Sequence, residues 1–197
     1  MTRNAMRPSV IWTRRGLVLA VFGGIIWGVV AFVSFVFGLV GSLFNSGQPN
    51  QVAGGDCQAQ QIKVEAHVGN AKSEFQNAFN PSDYPYFWFT ITNTATVECK
   101  FNVGTSASFY TVTSGNETIW TSKDCILDNP RTDTIMSLPP GEELQASSSD
   151  WERVRSSSSG CTIADGQPIV SAGGASYHLK VEVNGVISEN DVQFVLN

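Results

Sequence analysis

The side chains suited to nucleophilic, acid–base or metal chemistry in this 197-residue chain are few: two histidines, His67 and His178, four cysteines, and the serine runs Ser147–Ser149 and Ser156–Ser159. A hydrolase needs a nucleophile within reach of a base. Both histidines fall on the polar side of alternating strand patterns, where a solvated or cross-strand role is the simpler reading. Neither serine run sits in a Gly-x-Ser-x-Gly elbow. The pairs Gly54-Gly55 and Gly173-Gly174 are not followed by a helix that could hold a phosphate. Glu142, Glu143, Asp150 and Glu152 could pair on neighbouring strands, but acidic residues dominate this part of the chain and a solvated face is the default. Asp124, Asp128, Asn129 and Asp133 match no calcium loop with a fixed ligand order, and Pro130 interrupts them. The expectation is a protein without enzymatic activity, with no catalytic residue, no cofactor and no metal ligand.

Cys57, Cys99, Cys125 and Cys161 have no C-x-x-C spacing and no nearby histidine, which disfavours zinc. An even number of cysteines in an oxidising compartment reads as two disulfides. Of the three connectivities, Cys57–Cys99 with Cys125–Cys161 is favoured, because each bond joins segments flanking a predicted hairpin and leaves the other loop unthreaded.

Such a compartment is what the N-terminal segment implies. Gly16 to Phe44 is a charge-free apolar run of about 29 residues, preceded by Arg3, Arg7, Arg14 and Arg15. About 20 helical residues cross the ~30 Å hydrocarbon core. The run is roughly twice the apolar length of a secretory signal, so it reads as an uncleaved anchor. The Asp56 preceding Cys57 disfavours a lipoprotein site. With no further basic residue until Lys63, the positive-inside rule puts the N-terminus in the cytoplasm. Gly16, Ala20, Gly24 and Gly28 recur every fourth residue, a stripe where another helix could approach closely, although small residues are common in such spans.

The organisation expected is a cytoplasmic tail at 1–15, a transmembrane helix at 16–44, a flexible tether at 45–56 and one extracytoplasmic domain at 57–197. Outside the membrane, 8 basic residues face 17 acidic ones, a formal charge of −9, which argues against nucleic acid as a partner.

From Cys57 onward, period-2 alternation recurs between turn signals and no helical period is sustained, so the domain is read as all-β. Strands are expected at 62–68, 86–92, from Phe101, at 108–113 and 117–122 across Ser114-Gly115-Asn116, at 134–138, 143–151 and 177–183, then from Val192 to the end after the Asn184-Gly185 turn. Seven to nine short strands suggest an immunoglobulin-like two-sheet β-sandwich. Tyr84, Tyr86 and Trp88 share the face opposite Phe87 and Phe89 and form the candidate contact surface, unless both faces of that strand are covered.

The segments Ser114-Gly-Asn-Glu-Thr-Ile-Trp-Thr-Ser-Lys-Asp-Cys125, Leu138-Pro-Pro-Gly-Glu142, Asp150-Trp-Glu-Arg153 and Ala175-Ser-Tyr-His-Leu-Lys-Val-Glu-Val183 resemble membrane-anchored envelope proteins of actinobacteria, most without an assigned function. The same order of turns and aromatics is distantly similar to the intracellular proteinase inhibitor domain called BsuPI, which implies an immunoglobulin-like fold. The likeness covers about half the chain, and its motifs are turns and core aromatics. The function expected is therefore binding by a single-pass membrane protein, as an accessory subunit of a membrane complex or self-associated through its span. The alternative is protease inhibition in the cell envelope.

Overall fold

The computed structural model describes residues 53–127 and 129–197, which are all-β. Residues 1–52 and Asp128 lie outside the described residues, and with them the tail, the span, most of the tether and the stripe Gly16, Ala20, Gly24 and Gly28. Among the described residues no helix is long and apolar enough to cross a membrane.

Among the described residues twelve strands form: β1 (Ile62–Gly69), β2 (Ala78–Phe79), β3 (Tyr86–Asn93), β4 (Cys99–Asn102), β5 (Ser108–Ser114), β6 (Glu117–Thr121), β7 (Ile135–Leu138), β8 (Glu143–Gln145), β9 (Ser149–Asp150), β10 (Ala175–Val183), β11 (Val186–Ile187) and β12 (Val192–Leu196). One sheet runs β1-β3-β8 with β9 also on β3; a larger one runs β2-β12-β10-β5-β6 with β11 on β10; β4 and β7 make a two-stranded ladder. Alternation dictates the faces. Ile62, Val64, Ala66 and Val68 of β1 and Tyr177, Leu179, Val181 and Val183 of β10 are buried at every second position, and both rows enter one apolar cluster.

At its centre Trp151 lies with ring centroids 5.8 Å from Phe87, 5.9 Å from Phe194, 5.8 Å from Tyr177 and 6.3 Å from Trp120. Its indole N–H donates to the Val154 carbonyl at 3.0 Å. Two residues on, Arg153 is buried at a left-handed φ of 58°, and its guanidinium donates to the carbonyls of Asn80 and Asp83 at 2.6 and 3.3 Å. Arg153 thereby ties the Asn80–Asp83 turn to this corner of the core.

The turns follow from their residues. Gly115-Asn116 closes β5 onto β6 with Gly115 at φ 57°, and Asn184-Gly185 closes β10 onto β11 with φ values of 48° and 81°. The fully buried Asn93 ends β3. It donates to the carbonyls of Val97 and Leu138 and accepts from the Ala95 amide, which satisfies its amide while joining β3 to the β4–β7 ladder.

Three elements differ from the sequence expectation. The stretch expected as one strand at 143–151 is β8 and β9 with a break at 146–148, where Ser73 donates to Ser148 and the serines supply no apolar alternation. The two-residue β2 pairs parallel to β12, a pairing made by remote segments. The end of the expected tether is tied down: Gly54 donates to the Glu98 carbonyl, Lys100 to that of Gly55 and Cys57 to that of Lys100.

Candidate binding cleft

The four cysteines form two bonds, Cys57–Cys99 with Cα atoms 4.9 Å apart and Cys125–Cys161 with Cα atoms 4.7 Å apart. No free cysteine is present among the described residues. The first bond fixes the start of the domain to β4; the second joins the segment after β6 to the loop after Trp151.

The aromatic trio is divided. Tyr84 is exposed, Tyr86 half-buried and Trp88 buried at 5% exposure, stacked on His67 with centroids 5.4 Å apart. Trp88 is covered because β3 is interior to its sheet, and Gly69 on the neighbouring strand lies so close that an added Cβ would stand 2.7 Å from the indole. The trio therefore presents Tyr84, and Tyr86 in part, but not Trp88 as open surface.

Both histidines take cross-strand roles. His178 Nδ1 lies 2.9 Å from an Asp191 carboxylate oxygen, and His67 Nε2 lies 3.2 Å from the Thr90 hydroxyl. Burial of the His67 imidazole against Trp88 lowers its pKa below the ordinary 6.5, against weaker opposing effects of Glu65 and Glu143. An unfolded chain protonates His67 near pH 6.5 and the folded one only below that, so the stability it contributes is complete above pH 6.5 and is lost as pH falls through the folded pKa. The expected result is that the Tm advantage of the native chain over His67→Gln shrinks as pH is lowered from about 7.5 to about 5.5. Parallel Tm–pH curves would refute it.

The acidic group near 124–133 is dispersed. Asp124 accepts from Ser156, Asp133 accepts from Asn102 and Ser106, and Asp128 lies outside the described residues. Among the described residues no three His, Cys, Asp or Glu converge. The loop at Ser156–Gly160 is tied as well: Ser157 and Gly160 exchange backbone hydrogen bonds, and the Ser156 hydroxyl reaches Asp124.

A cleft of about 540 Å³ opens between the β8–β9 margin of one sheet and the β5–β6 margin of the other. Phe87, Phe89, Tyr110, Trp120, Trp151 and Ala146 wall it, and the Cys125–Cys161 bond closes one end. Tyr110 rests on Phe87 and Phe89, each with centroids 6.2 Å away. Burial raises its phenol well above the ordinary value, so the hydroxyl stays protonated. Arg131 stands at the opening, donating to the carbonyls of Thr105 and Ser122 with its guanidinium carbon 5.3 Å from the centre of the Phe109 ring.

The break between β8 and β9 makes this opening: Ala146 still donates to the Phe89 carbonyl of β3 at 3.0 Å, and the ladder is interrupted at 147–148 before Ser149 pairs with Phe87. Sequence reasoning did not single out Tyr110 or Arg131. A signal was present in the parity of β5, which puts Tyr110 on the same inward face as Val112, and in the adjacent apolar Ile126-Leu127 after a half-cystine.

No protein-family model and no curated protein matches the chain. Among solved structures it is similar to Spo0M, a sporulation control protein from Bacillus subtilis, at TM-score 0.36 and 10% identity over 70% of this chain and 49% of that one. It is also similar to a β-glucosidase, EmGH1, from Erythrobacter marinus (TM-score 0.36, 12% identity, 69% and 15% covered) and to a β-glucosidase from Listeria innocua (0.35, 9%, 68% and 16%). The chain spans about half or less of the length of these proteins, and similarity at this level assigns no function.

Proposed function

We propose that the chain is a non-enzymatic, single-pass membrane protein of the cell envelope. Residues 57–197 form an immunoglobulin-like two-sheet β-sandwich on the extracytoplasmic side and act by binding, as an accessory subunit of a membrane complex. The observation that carries this reading is the use of all four cysteines in two disulfides placed after a charge-free run that follows four arginines, since such bonds persist in oxidising compartments. The acidic balance of the external part supports a protein or small-molecule partner rather than nucleic acid.

Crosslinking and affinity capture of the full chain from membranes in mild detergent tests this. Gly24→Ile, which places a branched side chain in the small-residue stripe, is expected to reduce recovery of the membrane partner about tenfold. Recovery equal to that of the native chain would overturn the subunit reading. The resemblance to a proteinase inhibitor domain, through its Leu138-Pro-Pro-Gly-Glu142 turn, favours envelope protease inhibition as the second reading; the absence of inhibition at a large molar excess would remove it.

A further inference from the structure

We propose that the cleft between the two larger sheets binds a single long apolar chain carrying an anionic head, the chemistry of a fatty acid or prenyl phosphate. This deepens the binding reading by naming the ligand class, and it rests on the cleft rather than on the anchor. At about 540 Å³ the cleft lies within the size range of small-molecule sites.

What distinguishes it is that its aromatic walls offer few hydrogen bonds: of the polar groups around them, the Ser108 hydroxyl donates to the Val103 carbonyl, that of Ser122 accepts from the Tyr110 amide and that of Thr162 donates to Asp165, while Ser147, Ser149 and Asp150 lie along the β8–β9 margin. The indole N–H of Trp120 is committed to the Cys161 carbonyl at 3.0 Å and that of Trp151 to Val154 at 3.0 Å. Among the aromatic walls this leaves the Tyr110 hydroxyl, which makes no hydrogen bond among the described residues. A sugar or nucleotide placed against the aromatic walls would find polar partners only along the β8–β9 margin and at the opening, whereas an alkyl chain needs none.

A peptide adding as a strand is disfavoured by the edges. Ser156 donates its backbone N–H to the Ile119 carbonyl and its hydroxyl accepts from the Thr121 amide, which occupies the β6 margin, and β3 is already paired with β8 and β9.

The opening continues the apolar character outward. Ile126 is 68% exposed and Leu127 45%, immediately after Cys125, and Ile163, two residues past Cys161, is 47% exposed. Of these, Ile126 and Leu127 line the cleft itself, and large exposed apolar side chains beside an apolar cleft mark a surface that meets an apolar partner.

The polarity of the head follows from the charges. Arg131 forms no ion pair with a carboxylate among the described residues, while neighbouring Lys123 is paired with Glu182 at 2.7 Å. Asp150 and Glu152 line the other wall, and Glu152 accepts from the Ile163 amide at 2.5 Å. An anionic head is thus drawn to the Arg131 side and repelled from the opposite one.

The test places the full chain in lipid nanodiscs and adds palmitate bearing a photoreactive diazirine, with labelled peptides mapped by mass spectrometry. Label is expected on peptides containing Tyr110 and Ala146. Ala146→Trp, which fills the cleft, is expected to cut that label about tenfold while label on residues 16–44 is unchanged. Should Ala146→Trp fail to fold, Ile126→Glu with Leu127→Glu changes only exposed side chains and is expected to lower labelling similarly. Arg131→Gln is expected to lower labelling by diazirine palmitate but not by the matching uncharged alcohol. Label confined to residues 16–44, or cleft label indifferent to these variants in folded protein, would overturn the proposal, whatever partner capture shows about the anchor.

Discussion

Trp151→Ala is expected to destabilise the domain by about 3–5 kcal/mol, the range for truncating a fully buried aromatic side chain. Trp151 is 1% exposed and meets Phe87 and Phe194, from different sheets, in one aromatic cluster. Its removal leaves a cavity where the sheets share their core, with little backbone freedom to close it. For a domain of this size the loss corresponds to a Tm lower by on the order of 10 °C, read from near-UV circular dichroism of the full chain. Trp151→Phe separates the contributions. It keeps most of the ring packing but leaves the Val154 carbonyl without its donor, so about 1–3 kcal/mol is expected. Equal losses for Ala and Phe would mean that the hydrogen bond, not the packing, dominates. A loss below about 1 kcal/mol for Ala would contradict the core assigned to Trp151.

Replacing all four cysteines with serine is expected to abolish folding at 37 °C, whereas replacing one bonded pair leaves a folded, weakened domain. The bonds close loops with sequence separations of 42 and 36 residues. In the chain-entropy account each loop of that size contributes about 4 kcal/mol. Loss of one bond falls within the stability of about 5–15 kcal/mol typical of a domain, but loss of both consumes most or all of it. The two pairs also differ locally. Removing Cys125–Cys161 releases the end of the cleft where Trp120 is held to the Cys161 carbonyl, and a shift in tryptophan emission is expected there. Removing Cys57–Cys99 instead frees the segment at 54–57 from β4. Thermal melts with and without reductant check both statements, and unchanged melting after reduction would refute the stabilising role.

The all-β character was legible in the sequence because each long strand buries one face, and alternation is a local property of neighbouring residues. Ile62 to Val68 and Tyr177 to Val183 carry it without interruption, and both became long strands. The two hairpin turns at Gly115-Asn116 and Asn184-Gly185 were legible for the same reason, since positive φ is a requirement of single residues. The preferred cysteine pairing also followed from the chain alone, through the hairpins the bonds flank.

Several other features depended on segments far apart in sequence. Trp88 reads as outward-facing by parity, yet it is covered because β3 is interior to its sheet and a glycine and a histidine of β1 receive its ring. The cleft needs the break between β8 and β9, the inward face of β5 and a disulfide from the loop after Trp151 to come together, and no stretch of sequence encodes that meeting. By itself the sequence determined the long strands, the hairpin turns and the chemistry available, because those are short-range properties of side-chain size, polarity and backbone freedom, whereas the short β2 and the break between β8 and β9 came from pairing of remote segments. Only the tertiary structure decided which aromatics are enclosed, that Arg131 stands at the opening of a cleft and that an apolar space lies between the sheets, because burial and proximity depend on packing between residues distant in the chain.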